Sequence, residues 1–267
     1  MTDALRFEWT RIRTLRSTFW LTGLALLLSA VVAGIIAWEM RNDTIDAGRA
    51  GVILTGGTTF SPLPFTAVFM GILGVFGFGH EYRHGTILAT LSAVPRRGPL
   101  ALAKCLVLIA WSLVVAVLSV ALNWGVARVL SGQSLPLTDS PAGPALVGYV
   151  CYVVLWTLLG LGLGSLLRNL PAALVVLLVF PLVVEPLISA LTLLPALESI
   201  REFVYYLPFT AGKTMLQSVD PKTLGGGSAQ PSPFGDQPGR LISAVAFTAW
   251  VAVILAPAVA LFHKRDA

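Results

Sequence analysis

Apolar residues along this chain gather in long uncharged runs instead of alternating with polar ones. Six runs stand between charged or Pro/Gly-rich breaks, at residues 18–38, 60–79, 105–126, 146–167, 170–194 and 241–262. A bilayer core about 30 Å thick is crossed by roughly 20 helical residues, and each run is near that length. The pattern predicts an all-α integral membrane protein of about six transmembrane helices. The first run exceeds the apolar stretch of a cleavable signal peptide and five more follow it, so it reads as a retained span. Residues 1–267 form a single transmembrane domain with no internal repeat of the kind seen in secondary transporters.

Ahead of the first run, Leu5, Trp9, Ile12, Leu15 and Phe19 recur at helical spacing, with Arg6, Arg11, Arg13 and Arg16 among them. Residues 1–17 are therefore expected to form an amphipathic, basic interfacial helix, held on anionic lipid, docked on a cytoplasmic partner, or both. Residues 195–240 are the longest stretch outside the runs and are expected to be extracytoplasmic. Their first half, with Phe203, Val204, Tyr205, Tyr206, Leu207, Pro208 and Phe209, is too apolar for a solvated loop and predicts short interfacial or re-entrant helices. Their second half, from Gly225, Gly226, Gly227 and Ser228 through Pro231, Pro233 and Pro238, reads as linker.

Composition agrees with the pattern. The chain is 56% hydrophobic and 12% charged, with a mean hydropathy of +0.82, whereas soluble domains carry about a quarter charged residues. A net charge of +5 would suggest nucleic acid in a soluble protein. Here the basic residues flank apolar runs, so orientation in the membrane explains them and no nucleic-acid partner is expected. Eleven Lys and Arg fall on the side of the N-terminus and seven on the other, which also carries most of the acids. Both termini are thus expected to be cytoplasmic, in a multi-pass protein of the plasma membrane. Cys105 and Cys151 lie in apolar runs and read as small hydrophobes.

Several local motifs resemble chemistry. His80, Glu81 and His84 match the H-E-x-x-H zinc signature and raise the alternative of a membrane-embedded metalloprotease. A third ligand is needed, and His263 lies in the C-terminal tail while Glu185 is far along the chain, so no metal site is expected. Gly212, Lys213 and Thr214 end like a phosphate-binding loop, but Leu207 stands where its first glycine belongs. Gly164 and Ser165 are followed by Leu166 and lack the serine-protease turn. Glu185 is the acid well inside a run, flanked by Pro181 and Pro186, which should kink or break the helix. A buried membrane carboxylate suggests a substrate-path or gating role, or a proton site in an ATP-independent secondary transporter; alternatively it bonds backbone groups freed at the kink. Asn123 reads as helix-to-helix glue.

After the second run, Glu81, Gly85 and Thr86 form an E-x-x-x-G-T stretch. Leu91, then Pro95-Arg96-Arg97, and finally Lys104 at the third run follow. This region resembles the ABC-2 type permease family, and the basic start, six runs and long outer segment resemble it in layout. The resemblance implies a membrane-spanning subunit of an ABC exporter, itself without enzymatic activity or cofactor, working with a cytoplasmic ABC ATPase that binds ATP. It further implies a second permease copy or paralogue in a dimer. Residues 80–104 would be a cytoplasmic coupling loop on the ATPase, carried by Glu81, Gly85, Thr86, Pro95, Arg96, Arg97 and Lys104.

Overall fold

The computed structural model describes residues 2–56, 63–83, 85, 97–218 and 238–264, with the backbone alone at 83, 97, 263 and 264. Every regular element among them is helical. Helix α1 (Thr2–Thr14) ends where Leu15 turns extended, and α2 (Arg16–Glu39) follows at once. A short α3 (Ala47–Thr55) lies beyond the far end of α2. Asp46 caps it by accepting from the Arg49 amide at 2.8 Å, and Gly56 closes it at φ +62°, a left-handed position that glycine occupies without strain. Next come α4 (Phe65–Arg83), α5 (Arg97–Ser131) and α6 (Ala142–Leu167). Helix α7 (Leu170–Val179) passes through a π-helical turn (Phe180–Val184) into α8 (Glu185–Leu191). A 3-10 helix (Pro195–Tyr206), α9 (Pro208–Thr214) and α10 (Arg240–Lys264) complete the chain.

Five of these segments are long and apolar enough to cross a membrane: Arg16–Asn42, Gly98–Ser131, Ala142–Leu167, Leu170–Leu191 and Arg240–Phe262. The expected second span is α4, a helix of 19 residues whose last turn carries His80, Glu81 and Arg83. Those polar residues make it less apolar than the other five, yet it lies at the centre of the bundle. Helix α5 runs to 35 residues, about 52 Å at 1.5 Å per residue, well beyond the run expected at 105–126. Charge marks the edge of an apolar run, but Lys104 and Arg128 do not end a helix whose interior residues favour helix.

Helices α4 and α6 form the most extensive contact among the described elements, and glycine is the reason. A Cβ on Gly74 would sit 2.1 Å from the Thr157 carbonyl oxygen, and one on Gly160 would sit 2.1 Å from that of Gly71. Absence of side chains lets the two backbones touch, which in lipid supplies the packing that hydrophobic burial cannot. At the opposite end of α6, Gly148 lies against the Met215 backbone, which seats α9 in the bundle. There Tyr152 and Trp156 of α6, Phe209 of α9 and Phe247 of α10 form a buried aromatic cluster, with Trp156 and Phe209 centroids 4.6 Å apart.

Polar side chains inside the bundle are used between helices. The Asn123 amide donates to Ser29 Oγ of α2 and to the Leu54 carbonyl of α3, both at 2.9 Å. The Ser119 and Tyr149 hydroxyls lie 2.8 Å apart.

Of the residues expected to form an amphipathic helix at 1–17, Thr2–Thr14 are helical as α1, and the inward face of α1 differs from the apolar stripe read in the sequence. Ala4, Glu8 and Ile12 are buried, whereas Trp9 and Phe19 are exposed. Protein contact, with a charge-bearing partner, selects that face. The linker at 225–238 lies outside the described residues up to 237.

Candidate coupling site

Four charged side chains converge where α1, α4 and α5 meet: Glu8 and Arg11 of α1, Glu81 of α4 and Lys104 of α5. Lys104 has no exposed surface. A buried ammonium needs all three of its protons satisfied. They go to Glu8 Oε1 at 2.7 Å, Glu81 Oε1 at 2.6 Å and the Gly77 carbonyl at 3.2 Å. Arg11 adds a second cation, donating to Glu8 Oε2 at 3.0 Å, to Glu81 Oε1 and to the Gly77 carbonyl at 2.9 Å. Two carboxylates face two cations, so the cluster is neutral while every member depends on another helix. Glu81 Oε2 is buried and accepts no hydrogen bond from the described residues. The Phe78 ring lies 5.1 Å from the Lys104 ammonium and closes one wall.

This arrangement behaves as a three-way joint. Helix spacing places Glu8 and Arg11 on one face of α1, and Lys104 ties that face to both α4 and α5. Moving α1 alone would leave Lys104 and Glu81 short of partners in a low-dielectric setting, so displacement of one helix is felt by all three.

Of the residues expected to couple to a partner, the structure brings Glu81 and Lys104 together, and both sit in helices instead of in a loop. Gly85 lies two residues past α4 at φ +64°, a left-handed conformation that suits glycine. Arg97 opens α5. Thr86, Pro95 and Arg96 lie outside the described residues, as does His84 of the zinc signature. Among the described residues no group of three or more His, Cys, Asp or Glu side chains is placed to hold a metal ion. Arg11 was read from sequence only as one of the basic residues of the N-terminal helix, and Glu8 was not singled out. Their i, i+3 spacing with opposite charge on the inner side of an amphipathic helix was the available signal.

Glu185 stands apart from this cluster, at the end of the π-helical turn. Pro181 and Pro186 each lack an amide proton, and the helix passes them by widening instead of breaking. The Glu185 carboxylate is buried and serves as a cap for α9. Oε1 accepts from the Phe209 amide at 2.8 Å, and Oε2 accepts from the Thr210 amide at 2.8 Å and its hydroxyl at 2.9 Å. Those amides are the orphan donors of the first turn of α9, and a negative charge is favourable there. Lys213, in the last turn of α9, is pulled below the ordinary lysine value by burial, with Glu185 opposing that shift. Gly212 and Thr214 are buried in the same helix and form no phosphate loop.

The family model described as ABC-2 family transporter protein matches residues 4–196, which includes all four members of the charged cluster and Glu185. A search of curated proteins returns no match.

Proposed function

The chain belongs to the ABC-2 transporter family, and from that premise we propose that it is the membrane-spanning half of an exporter, driven by a separate cytoplasmic ABC ATPase. As a family member it is a multi-pass membrane permease of an ABC transporter. The proposal adds direction, partner and orientation: substrate leaves the cytoplasm, the ATPase sits on the α1 side of the bundle in the plasma membrane, and a second permease copy or paralogue completes a dimer.

The observation that carries it is the buried charged joint of Glu8, Arg11, Glu81 and Lys104. A permease moved by an external motor needs an element that receives displacement at the membrane surface and passes it to several spans. Helix α1, the end of α4 and the start of α5 meet at one neutral cluster, beside the connection expected to contact the ATPase, with Gly85, Thr86, Pro95, Arg96 and Arg97 along it. Both oxygens of Glu185 accept from α9 amides, which gives that carboxylate a structural role as a helix cap. In this reading Glu185 holds the outer segment on the fifth span, and its relation to gating is through α9.

The test is isolation of the full chain from its native membranes in mild detergent, followed by mass spectrometry of what accompanies it. An ABC ATPase in stoichiometric amount is expected. Recovery of the intact chain with no ATPase, together with transport that a protonophore abolishes and ATP depletion spares, would overturn the reading.

A further inference from the structure

A groove of about 470 Å³ runs along the outside of the bundle between α2 and α5. Ala30 and Gly34 form its floor, Val31 and Trp38 of α2 one flank, and Val126 and Leu130 of α5 the other. Gly34 lets α2 and α5 approach closely along the groove. A Cβ at Gly34 would already approach Leu130 and Val126 to 3.2 Å. The lining is aliphatic until the end farthest from α1, where its chemistry changes.

At that end Trp38 is exposed, the position at which tryptophan marks the headgroup level of a bilayer. Glu39 lines the mouth of the groove, is exposed, and makes no ion pair among the described residues. Arg41 lies with its guanidinium 4.1 Å over the Trp38 ring and donates through Nη1 to the Trp38 carbonyl at 3.0 Å. Its remaining N–H groups are available. The mouth thus offers one carboxylate with no ion pair among the described residues, and beside it one guanidinium held on the lining Trp38, two residues apart and not paired with each other.

We propose that this groove binds one zwitterionic phospholipid of the leaflet on the α3 side, its acyl chain along Ala30 and Gly34, its phosphate at Arg41 and its primary ammonium at Glu39. The aliphatic trough accounts for the chain and the split charges for the headgroup: phosphate is the anion that guanidinium recognises best, and an N–H-bearing ammonium can donate to a carboxylate. Phosphatidylethanolamine has this chemistry. Phosphatidylglycerol lacks the ammonium, and phosphatidylcholine lacks the N–H donors. A second copy of the chain fits less well. A two-fold axis along the membrane normal would bring Glu39 toward Glu39 and Arg41 toward Arg41, setting like charges against each other. The site is independent of any partner ATPase.

The experiment is native mass spectrometry of the full-length protein, in whatever complex it is isolated, titrated in mild detergent with phosphatidylethanolamine, phosphatidylcholine or phosphatidylglycerol of identical acyl chains. One phosphatidylethanolamine should be retained with about fivefold preference over either alternative, the scale of one exposed charge pair. Glu39→Gln should erase the preference over phosphatidylcholine, Arg41→Gln should weaken all three, and Ala30→Phe should fill the trough and displace the lipid. Glu39 and Arg41 are exposed, so the two charge variants carry the test if Ala30→Phe does not fold. Equal retention of all three lipids, unchanged in Glu39→Gln, would overturn the proposal. So would efficient disulfide formation between two copies of Val31→Cys in native membranes.

Discussion

Lys104 is enclosed by Glu8, Glu81 and the Gly77 carbonyl, and removing its charge would leave two carboxylates sharing Arg11 alone. Breaking a buried ion pair by deleting one partner costs about 3–5 kcal/mol, because the surviving charge stays out of water. Lys104→Met should therefore lower the thermal midpoint of the purified chain sharply. Lys104→Met combined with Glu81→Gln restores balance between Glu8 and Arg11 and should recover part of the loss. Thermal unfolding of the three proteins in one detergent checks the order: native highest, double variant next, single variant lowest. A double variant no more stable than the single one would mean that packing, not charge, sets the cost. The same cluster shows how far residue-level reading reached. Glu81 and Lys104 stood out because they belong to the stretch that resembles the ABC-2 permease family, whereas Glu8 and Arg11 sat among four other charged residues of a helix read as bound to lipid, to a cytoplasmic partner, or to both. Their role depends on α1 turning its polar face inward, which only contact with α4 and α5 decides. Glu185 likewise drew notice as a lone carboxylate, but its partners lie at 209 and 210, and no local pattern connects them.

At the scale of elements, the contact between α4 and α6 is made by backbone meeting backbone. Gly160→Ala would place a methyl group 2.1 Å from the Gly71 carbonyl oxygen, and both helices would have to separate. Overpacking of this kind costs about 1–3 kcal/mol. Gly125 is the matched control: it too is inside a helix, and a Cβ there meets nothing within 4 Å. Gly125→Ala should be neutral or stabilising by up to about 1 kcal/mol, since alanine is the better helix former. Thermal melting of both variants measures the difference, and equal behaviour would remove close approach as the reason for glycine at 160. Most helices were legible as apolar runs because their lengths match a membrane. Their ends were less so. Helix α5 continues well past the charges that bound its apolar run, and α3 is too short and too near its neighbours to register as a run at all. The π-helical turn at 180–184 was visible only as a disturbance expected from Pro181 and Pro186. Proline removes amide donors, but the surrounding bundle determines whether the helix breaks or widens.

For the molecule as a whole, the two ends of the bundle differ in content, and this fixes what a topology experiment should see. Helix α1 and the charged joint occupy one end. Helix α3, the Glu185-capped α9 and the residues bordering 219–237 occupy the other: Ser218 Oγ donates to the Gly48 carbonyl at 2.9 Å, and Arg240 donates to the Gln217 carbonyl. The chain thus leaves the bundle at 218 and rejoins it at 238 at the α3 end, opposite the end that carries the exposed face of α1. The expected split of eleven Lys and Arg on the side of the N-terminus against seven on the other predicts that the α1 end faces the cytoplasm. With both native cysteines replaced by serine, Gly226→Cys should react with an impermeant maleimide in intact cells, whereas Thr10→Cys, exposed on α1, should react only after permeabilisation. The opposite result would invert the orientation, place the charged joint outside, and remove it from the reach of a cytoplasmic ATPase. Reaction of both positions from the same side would contradict the two-ended bundle itself. Labelling therefore tests the premise on which coupling at Glu8, Arg11, Glu81 and Lys104 depends, before any transport is measured.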